Sequence, residues 1–366
     1  MVPTIAILTP LPSPYQVELF DEVATTGAVQ LRVVYLHPRH SDRHWSDCQP
    51  KHEHVVCTDA DARGLATHWM ADADLAVFAW YADSFSRTLI QERARSGKPW
   101  CFWGERPGRS GWTWLGRLRR RFQLNVLHRS RAPIWGMGRW AVERWKQEFG
   151  AGRAYRNIPY YSDLNRFKRD AARAKSGTRT LLYPGSLIPR KGVDLLAKAF
   201  AKVASIRPHI RLKIAGVGAL ENEMREYMAT CAEQVSFLGF KDWGELPQVY
   251  HEADLLIAPS RYDGWGLIVP EGLAAGLPVI ATDRMGAALE LITPQQNGWR
   301  IAAGNLDALV EAMLDAIEMD DQRLREMSSA ATKSVANHSL ESGARQFIDA
   351  AYAALQITTL PSEAVA

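Results

Sequence analysis

The sequence predicts an α/β protein with two doubly wound parallel sheets, and three observations support this prediction. The chain has 366 residues, more than the ~250–300 at which one hydrophobic core usually stops growing, so we expect two domains. Hydrophobic residues make up 47% and charged residues 23%, the balance of a folded protein rather than a disordered or fibrous one. In both halves, short aliphatic runs alternate with longer amphipathic stretches, which is the pattern of β-α-β units.

Predicted strands and helices alternate along each half. The first half has strands at Thr4–Leu8, Leu31–Tyr35, Leu75–Ala79 and Trp100–Trp103, with helices at Tyr15–Ala24, Ser84–Ser96 and Trp112–His128. The second half has strands at Thr180–Tyr183, Arg211–Ala215, Val235–Leu238, Leu255–Ala258 and Pro278–Ala281, and helices follow almost all of them. Each half is therefore predicted to form an open sheet covered by helices.

A polar segment separates the two predicted sheets. Residues 168–178 are rich in Lys, Arg and Ala and have little capacity to form a core, which suits a linker. We therefore predict domains at residues 1–165 and 166–340. A last helical stretch, at about 340–357, is expected to pack back on the first domain.

Charge and cysteine content narrow the class of protein. Lys and Arg number 44 against 40 Asp and Glu, and the net charge of +4 is too small over this length to imply nucleic acid. The four cysteines form no C-x-x-C pair, which favours a reducing compartment. The start of the chain lacks the basic segment of a secretion signal, and no apolar run approaches the ~18–20 residues that span a bilayer. We therefore expect a cytoplasmic protein whose membrane contact is at most peripheral.

The densest group of candidate site residues lies in the segment 261–282. A glycine-rich turn holds Asp263, and Glu271 follows eight residues later at a short predicted helix. Glycines let a ligand approach the backbone, and an acid on each side can accept hydrogen bonds from sugar hydroxyls. Taken singly, Glu271 would equally suit a helix N-terminus and Asp263 a turn. Together, the two acids frame one loop.

A second candidate segment follows the strand Thr180–Tyr183. A loop with Gly185 and Gly192 leads into a helix, so Arg190 and Lys191 fall where backbone N–H groups and the helix dipole favour an anion. The segment is not a Walker loop, because G-x-x-x-x-G-K-[ST] is absent, and a lone Lys-Gly pair is usually solvated surface. Its position after a strand favours a diphosphate site.

Five motifs in order resemble the C-terminal half of family 4 retaining glycosyltransferases. They are G-S-L-I-P-R-K-G-V-D from Gly185, A-G-V-G from Ala215, F-L-G from Phe237, A-D-L-L-I-A-P-S from Ala253 and the two acids with seven residues between them from Asp263. The resemblance covers residues 180–300 and implies the GT-B fold, in which two Rossmann-like domains face each other across a cleft. It also implies transfer of a sugar from a nucleoside-diphosphate sugar to an acceptor hydroxyl, with retention of configuration and no metal or other cofactor.

The resemblance also implies roles for individual residues. Asp263 would contact the donor sugar, Glu271 would bind the ribose hydroxyls, and Lys191, helped by Arg190, would neutralise the leaving diphosphate. The other implied donor-binding residues are Gly185, Ser186, Gly264, Trp265, Gly266 and Leu267, with Phe240 and Lys241 flanking the base. Two positions depart from the family pattern: Asp263 is shorter than the usual Glu, and Ser186 stands where many members have Arg.

The first half is expected to carry the acceptor side. Glu105 follows the strand Trp100–Trp103, at the sheet edge where ligands bind. Many family members have a His near this position, so we predict that Glu105 contacts the sugar or orients the acceptor. A salt bridge from Glu105 to Arg106 or Arg109 is the alternative.

Two Asp-x-Asp matches raise the question of a metal. They lie at Asp59 and Asp61 and at Asp72 and Asp74. In the other glycosyltransferase fold such a motif follows a strand and holds a metal, whereas Asp72 and Asp74 precede a predicted strand. We therefore predict no metal site.

The segment between Glu105 and Glu143 contains arginines and no acidic residue. Residues 112–122 within it predict a helix with apolar side chains on one side and arginines on the rest. The candidate membrane or acceptor face comprises Trp112, Trp114, Arg117, Arg119, Arg120 and Arg121. Such a helix can lie on an anionic membrane, although a helix packed by its apolar face with solvated arginines would show the same pattern.

The sequence as a whole predicts a retaining, metal-independent glycosyltransferase that lies in the cytoplasm or at the inner face of the membrane. Its expected acceptor is a lipid-linked or cell-envelope glycan, as in polysaccharide or lipopolysaccharide biosynthesis, and no nucleic acid is expected as a partner. Two alternatives stay open. One is a transferase for a soluble small molecule, and the other is a non-catalytic protein that binds sugar nucleotides.

Overall fold

The chain divides into two compact units. Unit 1 comprises Met1–Asp163 and Ser339–Ala366, and unit 2 comprises Leu164–His338. A computed structural model describes residues 2–38, 49–107, 114–169 and 177–359, with side chains described up to residue 356. Most of the predicted linker, residues 170–176, lies outside the described residues.

Unit 1 contains a parallel sheet with helices along its length. Its strands are β1 (Thr4–Thr9), β2 (Gln30–Tyr35), β3 (Glu53–Val56), β4 (Leu75–Phe78), β5 (Trp100–Gly104), β6 (Ile134–Gly136) and β7 (Tyr155–Asn157). Its first helices are α1 (Pro14–Thr25), α2 (Ala60–Asp72), α3 (Ser84–Arg95), α4 (Trp114–Gln123), α5 (Asn125–Arg129) and α6 (Arg139–Phe149). The strand order is β3-β2-β1-β4-β5-β6-β7, so the order reverses between β1 and β4.

The elements of unit 1 follow from burial and capping. Strands β4 and β5 are buried along their whole length, as expected for parallel strands covered on both faces. Asp59 and Asp83 each accept a hydrogen bond from a backbone N–H in the first turn of α2 and of α3, which satisfies a donor that the helix leaves open.

The helix predicted at Trp112–His128 differs in the structure. The described part consists of α4 and α5, which are separated at Leu124, where φ is −109° and ψ is 28°. The side chain of Leu124 is buried in the core at this break. Residues 112 and 113 lie outside the described residues.

Unit 2 contains a second parallel sheet. Its strands are β8 (Arg179–Pro184), β9 (Ile210–Ala215), β10 (Val235–Gly239), β11 (Leu255–Ala258), β12 (Val279–Thr282) and β13 (Gly298–Ile301). Its helices are α7 (Val193–Ala204), α8 (Glu221–Tyr227), α9 (Leu246–His251), α10 (Ile268–Ala274), α11 (Gly286–Leu291), α12 (Leu306–Glu318) and α13 (Asp321–Ser334). The strand order is β10-β9-β8-β11-β12-β13, which reverses between β8 and β11.

The chain returns to unit 1 through its last helix, α14 (Leu340–Thr359). This helix packs on α1, and the ring of Phe347 lies 5.9 Å from that of Trp103 and 5.4 Å from that of Trp135. The aromatic contacts make α14 part of the unit 1 core. Within the described part of the chain, none of the helices combines the length and the apolar character needed to cross a membrane.

Candidate functional site

The carboxyl edge of the unit 2 sheet brings the two candidate loops together. In open parallel sheets, ligands bind outside the strand ends at the point where strand order reverses, which in unit 2 lies between β8 and β11. The loop after β8 carries Arg190 and Lys191, and the loop after β11 carries Asp263. Lys191 Nζ pairs with Asp263 Oδ2, and Arg190 Nη1 lies 3.9 Å from Asp263 Oδ1. Two cations therefore converge on one carboxylate.

Arg261 fixes the two loops against each other. Its guanidinium makes a bidentate ion pair with Asp194, with N···O distances of 2.5 and 2.6 Å, and its backbone N–H donates to the carbonyl of Arg190 at 2.9 Å. The hydrogen bond from Arg261 lowers the pKa of Asp194. The pair therefore joins the first turn of α7 to the segment that carries the acid.

Glycines allow this close approach. Gly192 has φ +71°, and a Cβ there would lie 2.1 Å from the carbonyl oxygen of Pro259. A Cβ at Gly216 would lie 1.9 Å from the carbonyl oxygen of Gly185. The loops after β8, β9 and β11 can therefore pack together only with glycine at these two positions.

A tyrosine hydroxyl holds the backbone of the segment Gly185–Ser186 in place. Tyr183 Oη donates to the carbonyl of Ser186 at 2.9 Å. Burial, with a smaller contribution from Asp263, raises the pKa of Tyr183, so the hydroxyl keeps its proton and remains a donor. This contact orients the Ser186 peptide, which belongs to the segment that the sequence predicts to bind the diphosphate.

The glycine-rich turn connects Asp263 to α10. Gly266 has φ +92°, and a Cβ there would lie 2.6 Å from Met285 Cε. The side chain of Trp265 is buried and stacks on His338, with ring centroids 5.7 Å apart and an interplanar angle of 23°. Gly264 and Gly266 are buried, and Leu267 is half-buried. Trp265 can therefore contribute to a ligand site through its backbone but not through its ring.

Glu271 lies in the first turn of α10 and is only 3% exposed. Tyr250 Oη of α9 donates to Glu271 Oε2 at 2.5 Å. Burial, together with the Glu271 charge, raises the pKa of Tyr250 well above its usual range, so the phenol stays protonated. The sequence analysis missed Tyr250. Its only sequence signal is general, since a buried tyrosine hydroxyl needs a partner.

Phe240 and Lys241 follow the edge strand β10, and β9 separates this strand from β8. Phe240 is exposed, and Lys241 Nζ lies 3.3 Å from Glu245 Oε1. Nearby, the Arg166 guanidinium lies 4.5 Å from the centre of the Trp243 ring. Phe240 and Lys241 thus lie two strands away from the loop that carries Lys191.

Glu105 lies at the carboxyl end of β5 in unit 1 and is exposed. Its Oε1 accepts a hydrogen bond from Tyr160 Oη at 2.7 Å, and the Tyr160 ring packs edge-on against Tyr15, with centroids 4.8 Å apart. Burial, then Glu105 and Tyr15, raises the pKa of Tyr160. Arg106, the alternative partner, lies 3.6 Å above the Trp140 ring, and Arg109 lies outside the described residues.

Helix α4 presents apolar side chains at the surface. Trp114 is 72% and Phe122 74% exposed, and the turn between them exposes Leu115 and Leu118. The other exposed side chains of this helix include Arg117, Arg119 and Arg121.

Arg120 does not lie on the membrane or acceptor face that the sequence predicts for this helix. It is buried and forms hydrogen bonds of 2.9 and 2.7 Å with Glu148 of α6. The prediction was wrong for Arg120 because helical spacing does not reveal which neighbour a side chain meets. Trp112 lies outside the described residues.

The Asp-x-Asp aspartates have contacts within unit 1. Asp59 Oδ1 accepts a hydrogen bond from the Ala62 N–H, and Asp74 Oδ2 accepts one from the Thr4 N–H, both at 2.8 Å. In the described ranges no group of three or more His, Cys, Asp or Glu side chains is arranged to hold a metal ion.

The two parallel sheets with helices define the class of fold, and the predicted GT-B fold is confirmed by solved structures. One is Anabaena HepE in complex with UDP, with a TM-score of 0.76 at 16% identity over 96% of this chain and 100% of that one. Residues 165–334 match the family model described as "Glycosyl transferases group 1". This match covers nearly all of unit 2.

Curated relatives match part of the chain. A GDP-mannose-dependent monoacylated alpha-(1-6)-phosphatidylinositol monomannoside mannosyltransferase of Corynebacterium glutamicum is 29% identical over 50% of this chain and 52% of its own length. The lipopolysaccharide core biosynthesis mannosyltransferase LpsB of Rhizobium meliloti is 35% identical over 38% of this chain and 40% of its own length. The match thus spans about half or less of these relatives.

Proposed function

We propose that the protein is a retaining glycosyltransferase of family 4. It transfers a sugar from a nucleoside-diphosphate sugar to a hydroxyl of a lipid-linked or cell-envelope glycan, and it needs no metal. The observation that carries the proposal is the convergence of Lys191 and Arg190 on Asp263 at the carboxyl edge of the unit 2 sheet. These residues lie within the part of the chain that matches the group 1 family.

The chemistry proposed for these residues is electrostatic. As the bond between the anomeric carbon and the phosphate oxygen breaks, negative charge develops on the diphosphate, and Lys191 and Arg190 stabilise it without a general acid. Asp263 contacts the donor sugar, and Glu271 accepts hydrogen bonds from the ribose hydroxyls. The Arg261–Asp194 pair joins the two loops, so their backbones need little reorganisation when the donor reacts.

The names of the relatives support the choice of substrates. Two of them are named as mannosyltransferases, one of a phosphatidylinositol mannoside and one of the lipopolysaccharide core, and the solved HepE structure contains UDP. GDP-mannose and UDP-sugars are therefore the first donors to test, with lipid-linked glycans as acceptors.

The test is release of free nucleoside diphosphate from UDP-, GDP-, dTDP- and ADP-sugars, with EDTA present and with and without a lipid-linked acceptor. We expect turnover of one donor that is lost in Lys191→Ala and Glu271→Ala and retained in Lys202→Ala, which changes an exposed lysine of α7. Turnover that EDTA abolishes would refute the metal-independent mechanism. Nucleotide binding without turnover of any donor would favour a non-catalytic binding protein.

We also propose that α4 brings the protein to an anionic membrane. Its exposed aromatic and aliphatic side chains would enter the interface while Arg117, Arg119 and Arg121 face the lipid headgroups. The buried Arg120–Glu148 pair ties the helix to α6, which leaves its apolar side free to meet a surface.

The membrane proposal is tested by sedimentation with phosphatidylcholine vesicles that do or do not contain phosphatidylglycerol. At ~1 kcal/mol per basic residue near the surface, reversing Arg117, Arg119 and Arg121 to Glu should weaken binding to the anionic vesicles by a factor of about 100 or more. Reversal of Lys202, Arg211 and Lys333, which are exposed in unit 2, is the matched control. Equal loss in both variants, or no loss, would contradict a role for α4 and favour a soluble acceptor.

A further inference from the structure

We propose that Tyr250 is a positioning residue whose hydroxyl holds the Glu271 carboxylate in the orientation that accepts hydrogen bonds from the ribose of the donor nucleotide. The inference rests on the proposed function, which assigns Glu271 to the ribose hydroxyls. It adds a residue outside every motif that the sequence suggested, contributed by α9, 21 positions before Glu271.

The geometry of the pair leaves little freedom to the carboxylate. Both side chains are buried, and Tyr250 Oη lies 2.5 Å from Glu271 Oε2. A carboxylate has about four lone-pair positions, and the bond from Tyr250 occupies one of them. Because a buried charge without hydrogen bonds is costly, the hydrogen bond from Tyr250 also lowers the cost of burying the Glu271 carboxylate.

The neighbours of Tyr250 fix the position of its side chain, which donates the hydrogen bond to Glu271. The Phe167 ring packs against the Tyr250 ring with centroids 4.9 Å apart at an angle of 64°. Arg169 Nη2 donates to the carbonyls of Tyr250 and Ala253 at 2.9 and 2.6 Å, which holds the end of α9. The His251 ring nitrogen Nε2 lies 2.9 Å from the Phe167 carbonyl. Tyr250 therefore cannot follow Glu271 if the carboxylate turns.

A purely structural role and a positioning role predict different results. If Tyr250 only stabilises the fold, Tyr250→Phe lowers the melting temperature and leaves the preference for ribose unchanged. If it positions Glu271, the variant loses that preference even where it remains folded. Ribose contacts are remote from the reacting atoms, so the change should appear in KM for the donor more than in kcat.

The experiment measures binding of UDP, GDP and ADP and of their 2′-deoxy and 3′-deoxy counterparts by calorimetry. We expect the wild-type protein to bind one ribonucleotide about tenfold or more tightly than a deoxy counterpart, and Tyr250→Phe to reduce this ratio to about 1–3. Tyr35→Phe is the matched control, because Tyr35 is also buried and its hydroxyl lies 2.9 Å from His52 Nε2 in unit 1. Its ratio should equal that of the wild-type protein.

A double variant separates the positioning role of Tyr250 from a loss of folding. In a Glu271→Ala background, adding Tyr250→Phe should not change the ratio further, because the two groups act as one unit. If no nucleotide binds to the wild-type protein, the proposed function fails and this inference fails with it. If a ribonucleotide binds and Tyr250→Phe keeps the full preference, the proposed function stands and the role of Tyr250 is refuted.

Discussion

The ion pair between Lys191 and Asp263 implies that breaking it changes diphosphate binding and the rate of sugar transfer in opposite directions. The cation proposed to hold the diphosphate is paired with a carboxylate, and the two side chains are only 17% and 14% exposed. A diphosphate must therefore compete with Asp263 for Lys191. We predict that Asp263→Asn binds free nucleoside diphosphate more tightly than the wild-type protein and transfers sugar more slowly.

The magnitude follows from the contact that is lost. A hydrogen bond to a charged group contributes ~1.5–3 kcal/mol, and an amide oxygen retains part of it. Freeing Lys191 from the carboxylate should therefore favour diphosphate binding by about 1–2 kcal/mol, a factor of ~5–30 in Kd. Since the same substitution removes the acid that is proposed to contact the donor sugar, kcat should fall.

Calorimetry with UDP and GDP at fixed ionic strength measures this effect, and a donor turnover assay measures kcat. Asp307→Asn is the control for net charge, because Asp307 is an exposed acid of unit 2 that lies 3.6 Å from Lys202. Weaker diphosphate binding in Asp263→Asn than in the wild-type protein would refute the competition. Equal gains in Asp263→Asn and Asp307→Asn would reduce the effect to net charge.

Three further predictions concern the scaffold of the site and of unit 1. Arg261 lowers the pKa of Asp194 in the folded protein, so their ion pair contributes its full stability above the ordinary carboxyl pKa of ~3.9 and loses it as the pH falls through the lowered value. The free energy of unfolding in urea, measured between pH 3 and 6, should therefore fall less with acid in Asp194→Asn than in the wild-type protein. Gly192→Ala should lower the free energy of unfolding by more than the ~1–2 kcal/mol that a positive φ alone costs, since its Cβ would lie 2.1 Å from a backbone oxygen. Gly27→Ala, with φ +64° and open space around the Cβ, should cost only that amount. Equal melting temperatures of the two variants would contradict this. Arg93→Met should lower the free energy of unfolding in urea by at least ~1–3 kcal/mol, the cost of a buried acceptor left without a partner, because the buried guanidinium donates to five backbone carbonyls. A loss below about 1 kcal/mol would show that these carbonyls find other donors.

The strands of the central sheets were predictable from the sequence because parallel strands are buried on both faces and appear as continuous apolar runs. This holds for Leu75–Phe78 and Leu255–Ala258, whose residues are all buried. The sequence analysis missed β3, β6, β7 and β13, which are three or four residues long. Of these, only β6 is buried along its whole length, so the others do not show a continuous apolar run and do not stand out from loops. The carboxyl-edge placement of both candidate loops also follows from the alternation of strands and helices.

Pairings between distant residues were decided by the tertiary structure. Lys191 and Asp263 are 72 positions apart, and Arg120 and Glu148 are 28 positions apart. Helical spacing places Arg120 on a polar side, but only the packing of α4 against α6 shows that it is buried beside an acid. The same applies to Trp265, whose ring packs on His338 rather than toward a ligand site.

The sequence by itself therefore determined the central strands, most of the helices that follow them, and which loops lie at the edges where parallel strands end, because local propensity and hydrophobic periodicity depend on neighbours along the chain. The tertiary structure decided which charges meet, which hydroxyl orients Glu271 and which apolar side chains of α4 remain exposed. The physical reason is that the energies of ion pairs and hydrogen bonds depend on distance and burial, and both are set by how the elements pack.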